Sequence, residues 1–348
     1  MRAVSYSEFG AVPRVVELDR PDCPVDGVVV RVAATGVCRS DWHAWRGHDD
    51  SVHLPHVPGH EFAGTVIAVG DAVRAHAVGD RVTAPFVFAC GACDECRSGA
   101  TQVCIRQQQP GFTLPGSFAE ELVVPHADVN LVTLPDAVPF VDAAGLGCRF
   151  GTAYHALHAR GRVAAGEHVV VVGCGGVGLS AIIVAVAAGA HVIAVDVSPG
   201  ALERARTLGA TTVVSGPDAV DEVRRLTGGG AHVSVDAFGS RATSVTAVAT
   251  LRPRGRHVQV GLLLDDEAVP AIPMGRVIGE ELELLGSHGI SVGEYAAMLD
   301  DIVAGRLRLD ATIGQTITFD ELPAALQAMD RPATVAGMTV AVLDVVTS

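Results

Sequence analysis

The sequence predicts an α/β protein of two parts, a β-rich domain with many turns and a doubly wound domain built on a parallel sheet. Three observations predict this architecture. The first 125 residues contain short strand-like runs punctuated by Gly, Pro and Asp. After residue 160, short β-branched runs alternate with helix-like stretches. A glycine-rich turn joins the first of those runs to the first of those helices.

Composition narrows the function classes. The 348 residues are 49% hydrophobic and 18% charged, which predicts two domains with cores of their own. The formal net charge is −14 and no run of Lys or Arg occurs, so a nucleic-acid partner is disfavoured. The first ten residues lack the apolar core of a signal peptide, and Ser and Gly interrupt the longest apolar stretch, 177–190. We therefore expect a cytoplasmic protein without a membrane partner.

The elements follow from periodicity and punctuation. In the first part we predict the strands Gly27–Val32, Gly64–Val69 and Arg81–Ala84. In the second part a buried strand, His168–Gly173, leads into a helix near 176–189. The predicted elements that follow are strand His191–Asp196, helix Ala201–Leu208, strands Thr212–Val214, Val233–Asp236, Val258–Gly261 and Leu282–Leu285, and a helix near 293–304. The boundary falls near 145–150, and we expect the last strands to return to the first domain.

The turn between the first buried strand and its helix has the spacing Gly173-x-Gly175-x-x-Gly178. Such glycines allow a tight turn, close approach of a pyrophosphate and close packing of helix on strand. The N–H groups around Gly176 and Val177, at the start of the helix, can bind the phosphates. Asp196 ends the next strand and can bind both ribose hydroxyls while repelling a 2′-phosphate, which favours NAD over NADP. The alternatives are a chance glycine pattern and a solvated Asp196.

Four cysteines lie in one short loop with the spacing Cys-x2-Cys-x2-Cys-x7-Cys. They are Cys90, Cys93, Cys96 and Cys104. Four thiolates this close can surround a zinc ion tetrahedrally, and such closed sites stabilise a fold without taking part in chemistry. Two disulfides are the alternative, although two intervening residues strain most disulfide geometries.

Cys38, His60 and Cys148 are scattered along the chain, and taken singly each has an ordinary structural explanation. Together with their surroundings they resemble a known family. The segment Gly59-His60-Glu61-x2-Gly64-x5-Gly70-x2-Val73 is similar to the zinc signature of the medium-chain dehydrogenase/reductase superfamily. The segment Cys38-x-Ser40-Asp41-x-His43, the four-cysteine loop, Cys148 and the glycine turn occur in family order. Over nearly its whole length the chain resembles a zinc-dependent alcohol dehydrogenase.

The resemblance implies a GroES-like catalytic domain over 1–148 and 289–348 and a Rossmann NAD-binding domain over 149–288. It implies two zinc ions per chain, one in the four-cysteine loop and one at the site of hydride transfer. The catalytic zinc would be bound by Cys38, His60 and Cys148. Glu61 would lie behind the metal and exchange with water as a ligand, and Asp41 would orient the ligating histidine.

Further roles follow from the resemblance, each with an alternative. Ser40 and His43 match the positions of a proton relay from the site to the surface. The alternatives are a local capping hydrogen bond for Ser40 and an ordinary surface histidine for His43. Arg39 matches a position that contacts the pyrophosphate, and the alternative is a solvated surface charge. Phe86, Trp42 and Trp45 are candidates for the substrate pocket, and the tryptophans are equally candidates for packing. Arg204, one helical turn beyond Ala201, keeps NADP open as a minority option.

The resemblance implies reversible oxidation of a small neutral primary or secondary alcohol by a homodimer or homotetramer. Polyol, threonine and formaldehyde dehydrogenases on the same scaffold are alternatives, as are zinc-free quinone or enoyl reductases. The complete ligand set disfavours the zinc-free enzymes, and Cys148 favours the alcohol branch over the polyol branch. A non-catalytic binding protein is a third alternative, but it would need no relay and no open metal position.

Overall fold

The computed structural model describes residues 1–309, 312–331 and 335–343, apart from the side chain of Asp265. Its strands in chain order are β1 (Arg2–Ser5), β2 (Arg14–Glu17), β3 (Val28–Val37), β4 (Phe62–Val69), β5 (Arg81–Thr83), β6 (Glu121–Val124), β7 (Val132–Thr133), β8 (His168–Val172), β9 (His191–Val195), β10 (Thr212–Val214), β11 (Ala231–Asp236), β12 (Leu251–Gln259), β13 (Glu283–Gly286), β14 (Ile313–Thr318) and β15 (Met338–Val342). They form two large sheets and one small hairpin-like pair.

The α-helices are α1 (Arg39–Trp45), α2 (Asp94–Arg97), α3 (Ala127–Asn130), α4 (Phe140–Ala144), α5 (Gly151–His155), α6 (Gly176–Ala187), α7 (Pro199–Thr207), α8 (Ala219–Thr227), α9 (Arg241–Ala249), α10 (Met274–Gly279), α11 (Val292–Val303) and α12 (Leu322–Ala328). Two π-helical segments, Leu146–Phe150 and Ala156–Arg160, alternate with α5. Short 3₁₀ turns cover Thr101–Val103, Asp265–Glu267 and Phe319–Glu321. Among the described residues, none of these helices combines the length and the apolarity that crossing a bilayer requires.

The second domain contains a six-stranded parallel sheet in the order β10-β9-β8-β11-β12-β13. The chain order reverses between β8 and β11, which is the topological switch point where doubly wound sheets bind their ligands. Val169–Val172 of β8 are almost wholly buried because helices cover both faces. Helix α6 packs against β8 through its apolar side chains. The predicted α/β architecture with a doubly wound sheet is confirmed.

The first domain is built on a seven-stranded sheet in which β14-β15-β3-β4-β5-β7 are neighbours and β6 pairs with β3. Strand β15 runs antiparallel to β3, so the last strands return to the sheet of the first domain, as the sequence led us to expect. Strand β3 is ten residues long, and its C-terminal half is buried. It leads directly to Cys38, so the longest strand of this sheet positions a candidate ligand.

Predicted and observed elements differ most at one strand. We predicted Val258–Gly261, but β12 begins at Leu251 and ends at Gln259. The pairing with β11 jumps from Ala231↔Leu251 to Val233↔Arg256, so residues 252–255 bulge out of the ladder. Pro253 and Gly255 lie in that bulge, where the backbone nitrogen of Pro is not required to donate to a neighbouring strand. Because Pro and Gly are typical of loops, the sequence did not predict a strand over these residues.

Candidate active site

Three residues far apart in sequence meet between the two sheets. Cys38 follows β3, His60 precedes β4, and Cys148 lies in the π-helical segment Leu146–Phe150. One ligand atom from each lies within 4.8 Å of the others. Cys38 is 5% exposed and His60 is 1% exposed. The structure therefore brings together the three side chains that the sequence suggested as ligands of one metal.

Asp41 fixes the orientation of the histidine. Its Oδ1 lies 2.7 Å from His60 Nδ1, and its carboxylate also accepts from the backbone N–H groups of Cys38 at 2.9 Å and Gly59 at 3.1 Å. With Nδ1 bound to Asp41, Nε2 of His60 is buried and has no hydrogen-bond partner. A buried nitrogen without a partner costs free energy unless something binds it. Two thiols and this nitrogen form a donor set that fits zinc.

The electrostatics of the cluster favour bound cations. The pKa of Cys38 lies well below its usual value because the neighbouring Cys148 thiol and, after it, the nearby His60 imidazole favour the thiolate, and together they exceed the effect of burial. The same pair raises the pKa of Cys148. Burial lowers the pKa of His60, but Asp41 and the Cys38 thiolate outweigh it and the net shift is upward. The site thus holds a thiolate whose charge a metal ion can balance.

Glu61 lies behind this cluster and is wholly buried. It forms an ion pair with Arg149, the residue that follows Cys148. Burial raises the pKa of Glu61, against the opposing charge of Arg149. Arg149 was not among the residues singled out from the sequence, although a charged residue within the apolar run around Cys148 is a signal that points to it.

The four-cysteine loop closes around one point. The sulfur atoms of Cys93 and Cys96 lie 3.3 Å apart, those of Cys93 and Cys104 3.7 Å apart, and those of Cys90 and Cys96 4.0 Å apart. Sulfurs at about 2.3 Å from a tetrahedral centre lie about 3.8 Å apart, whereas a disulfide needs about 2.05 Å. The geometry fits a zinc site and excludes the two disulfides considered above.

Backbone and guanidinium donors surround these thiols. Cys90 Sγ accepts from the N–H of Ala92 at 3.4 Å and from Nη2 of Arg106 at 3.2 Å. These contacts, the Ala92 N–H first, lower the pKa of Cys90 to about 5. Cys104 Sγ accepts from the N–H of Arg106 at 3.4 Å. Such donors stabilise thiolates, which are the form that binds zinc.

The glycine turn lies at the switch point of the parallel sheet. Gly173 has a φ of +89° and contacts Phe238, and a Cβ on Gly178 would lie 1.8 Å from the Gly173 carbonyl oxygen. Gly178 is therefore required for the packing of α6 on β8. A Cβ on Gly175 would meet nothing within 4 Å, which leaves open space above the turn. Gly176 and Val177 begin α6, so their free N–H groups face that space.

Asp196 follows β9 and links two backbone segments at this edge. Its Oδ2 accepts from the N–H of Cys174 at 2.6 Å and its Oδ1 accepts from the N–H of Ser198 at 2.7 Å. The carboxylate is thereby oriented beside the glycine turn. Arg204 donates instead to the carbonyl of Ile313 at 3.2 Å, so this guanidinium is engaged away from Asp196.

Helix α1 carries the candidate relay residues. The Oγ of Ser40 lies 3.9 Å from Cys38 Sγ, which places it at the cluster. His43 lies one turn further along the same helix, and its Nδ1 is 3.0 Å from Nδ1 of His48. His48 is exposed, so this pair of imidazoles reaches the surface of the protein.

The other suggested residues have different environments. The Arg39 guanidinium stacks 3.7 Å over the Trp42 ring and donates to the Met329 carbonyl. Trp42 donates to Asp330 at 2.8 Å. Trp45 is 2% exposed and packs with Tyr6 and Leu326, which corresponds to the packing alternative rather than to a pocket wall.

Aromatic rings line the cluster. The Phe86 ring centroid lies 6.1 Å from that of His60, edge to face, and 5.1 Å from that of His288. The Phe112 ring centroid lies 5.5 Å from that of His60. His288 and Phe112 carry no local sequence signal, and only the fold brings them here. An apolar wall with one imidazole suits a small, largely neutral ligand.

Comparisons with known proteins agree with this geometry. A family model described as an alcohol dehydrogenase GroES-like domain matches residues 25–136, and one described as a zinc-binding dehydrogenase matches 176–304. An alcohol dehydrogenase of Geobacillus stearothermophilus is 37% identical over 293 residues, 82% of this chain and 84% of that protein. An L-threonine 3-dehydrogenase of Aeromonas salmonicida is 30% identical over 94% of this chain and 96% of that protein.

Among solved structures, an alcohol dehydrogenase, TADH, from Thermus sp. ATN1 has the same fold over its whole length. It superimposes with a TM-score of 0.91 at 33% identity and covers 99% of this chain and 100% of that one. Sequence, fold and the two cysteine-rich clusters thus agree, and this chain belongs to the zinc-type alcohol dehydrogenases of the medium-chain dehydrogenase/reductase superfamily.

Proposed function

We propose that the protein is an NAD-linked alcohol dehydrogenase with two zinc ions per chain, which reversibly oxidises a primary or secondary alcohol to an aldehyde or ketone. The observation that carries this proposal is the unpartnered Nε2 of His60 facing the Cys38 and Cys148 thiols. The glycine turn is adjacent, because the side chain of Arg149, the residue after Cys148, reaches Gly176. The two halves of a hydride-transfer site therefore lie side by side.

The role proposed for each residue follows from the groups that its side chain offers. Cys38, His60 and Cys148 would hold the zinc ion, which when bound would supply Lewis acidity to the substrate oxygen. Asp41 keeps Nε2 of His60 directed into the site. Phe86 and Phe112 exclude water from one side, which strengthens electrostatic interactions inside. We infer that the Ser40 hydroxyl takes up the alcohol proton as it releases its own, and that His43 and His48 carry a proton toward solvent.

The proposal is tested by NADH formation across a panel of primary, secondary, aromatic and polyol substrates, with L-threonine included. Threonine is included because a threonine dehydrogenase is among the relatives. We expect turnover on a neutral alcohol, because the apolar rings of Phe86 and Phe112 flank His60. Turnover confined to L-threonine assigns the second candidate activity, and a silent panel from protein containing two zinc ions contradicts the proposal.

Replacement of His43 by alanine is expected to lower kcat by about 10², because a positioned proton-transfer group contributes about 10²–10⁴. Added imidazole should restore part of the rate, and zinc content should remain unchanged. Steady-state kinetics with and without imidazole measure both effects. His53→Ala is the matched control, since His53 is an exposed histidine on the following loop. Equal kinetics of the two variants would count against the relay.

Replacement of Asp196 by asparagine should reduce the preference for NAD over NADP by about tenfold, since the variant keeps the shape of the side chain and loses the charge that repels a 2′-phosphate. The ratio of kcat/KM for the two cofactors measures this. Arg204→Ala should leave the ratio unchanged, because Arg204 is bound to the Ile313 carbonyl. A ratio that moves in Arg204→Ala and not in Asp196→Asn contradicts the assignment of NAD.

We also propose a homodimer or homotetramer in the cytoplasm. Strand β13 is the outer strand of the parallel sheet, and Val269, Met274 and Ile278 near it are 77%, 52% and 76% exposed. An open strand edge beside apolar side chains favours pairing with a second copy. All eight cysteines lie in the described part of the chain and none is paired, which suits a reducing compartment. Light scattering after size-exclusion chromatography measures the oligomeric state.

A further inference from the structure

The ion pair between Arg149 and Glu61 flanks the Cys38–His60–Cys148 cluster. Glu61 follows one candidate ligand and Arg149 follows another. Glu61 is 0% exposed and Arg149 is 6% exposed, so both charges are removed from water. Burying an ion pair carries a desolvation penalty that an apolar pair would avoid. A buried pair at this place therefore calls for a role other than stability.

The arginine binds both oxygens of the carboxylate. Its backbone N–H and its Nε both donate to Glu61 Oε1 at 3.0 Å, and its Nη2 donates to Oε2. This fork geometry fixes the plane of the carboxylate as well as its position. The Glu61 oxygens cannot turn toward the cluster without breaking these charge-assisted hydrogen bonds.

Two glycines leave the room that the pair occupies. A Cβ on Gly36 would lie 2.1 Å from Glu61 Oε2 and 2.6 Å from Arg149 Nη2. A Cβ on Gly176 would lie 2.6 Å from Arg149 Cδ. The arginine stem is thus held between β3, the cluster and the first residue of α6. This packing gives Gly176 a role beyond the approach of a pyrophosphate.

We propose that Arg149 is a positioning residue that keeps the Glu61 carboxylate out of the coordination sphere of the catalytic metal and braces it against the start of α6. The inference rests on the proposed metal site. It revises the exchange of Glu61 with water as a ligand that the resemblance suggested, because in this chain the carboxylate is already bound on both oxygens. It also connects the metal cluster to the glycine turn through one side chain.

The test uses Co²⁺ in place of zinc in the full-length protein, since the visible absorption of Co²⁺ reports its coordination number and ligands. Arg149→Lys keeps the buried positive charge but cannot bind both oxygens. Arg149→Met removes the charge. We expect both variants to show altered cobalt bands and a release of cobalt to a chelator slowed by about tenfold, because the freed carboxylate becomes a ligand. The double variant Arg149→Met/Glu61→Gln should return both readouts to those of the wild type.

Two further variants sharpen the interpretation. Arg256→Met is the matched control, since Arg256 forms a largely buried ion pair with Glu167 at 2.5 Å in the other domain, and its cobalt spectrum should equal that of the wild type. Gly176→Ala should shift the cobalt bands in the same direction as Arg149→Lys, because its methyl group displaces the arginine stem.

Each outcome decides a separate point. Wild-type spectra and release rates in Arg149→Lys and Arg149→Met overturn the positioning role and leave the proposed metal site standing. If Arg149→Met does not fold, Arg149→Lys decides alone. An unshifted spectrum in Gly176→Ala overturns the bracing against α6. Wild-type protein that takes up no Co²⁺ at the Cys38–His60–Cys148 cluster overturns the proposed metal site itself.

Discussion

Cys148→Ser is expected to bind one metal ion, against the two proposed for the wild type, and to lower kcat/KM by roughly 10³ or more. The thiol of Cys148 is one of the three donors of the Cys38–His60–Cys148 cluster, so its loss leaves too few ligands to hold zinc tightly. Lewis-acid stabilisation is worth several kcal/mol, and each 1.36 kcal/mol is about tenfold in rate. Metal analysis after dialysis and steady-state kinetics measure the two effects.

Cys23→Ser provides the control for this variant. Cys23 is a half-buried thiol that contacts the carbonyls of Pro24 and Gly27, and it belongs to neither cysteine cluster. This control should keep two metal ions and wild-type kinetics. If Cys148→Ser also kept two metal ions and near-wild-type turnover, catalysis would not depend on this cluster, and the proposed function would fail.

The sequence predicted the elements whose signals are local. The buried strand before Gly173 and the helix after it were placed within two residues, because β-branched runs and a glycine turn are short-range patterns. Helix α7 begins at Pro199 rather than Ala201, since Ser198 caps it and Pro suits the first helical turn. Strand β12 was misjudged because its ladder is set by its neighbours β11 and β13, and its own composition resembles a loop.

The candidate site likewise contains residues that the local sequence predicts and residues that only the fold brings together. The four-cysteine loop was predictable from spacing alone, whereas Cys38, His60 and Cys148 were recognised as a set only through the family resemblance. No local rule connects residues that three different elements supply. Phe112 and His288 could not be predicted for this reason, because they reach the cluster only through the fold. Arg149 was predictable in part, since its charge lies in an apolar run, but its partner is 88 residues away.

Cys104→Ser is expected to lower the melting temperature by roughly 5–10 °C, because losing a structural metal costs on the order of 4 kcal/mol and each kcal/mol shifts the midpoint of a large domain by about 2 °C. Cys104 is 1% exposed and its sulfur lies 3.7 Å from that of Cys93, so the substitution removes a buried thiol from the centre of the four-cysteine loop. Calorimetry and metal analysis should show a destabilised chain with one metal ion.

The effect of Cys104→Ser should extend to the active site, because the four-cysteine loop packs against it. The Gln102 carbonyl accepts from His288 Nδ1 at 3.0 Å, and Thr101 Oγ1 accepts from the Val292 N–H at 3.2 Å. Since His288 packs on Phe86, loosening the loop should raise KM more than it lowers kcat. Arg97→Ala, on the exposed face of the same loop, should change neither Tm nor KM. A Cys104→Ser protein that melts at the wild-type temperature with two metal ions bound would show that the loop needs no metal.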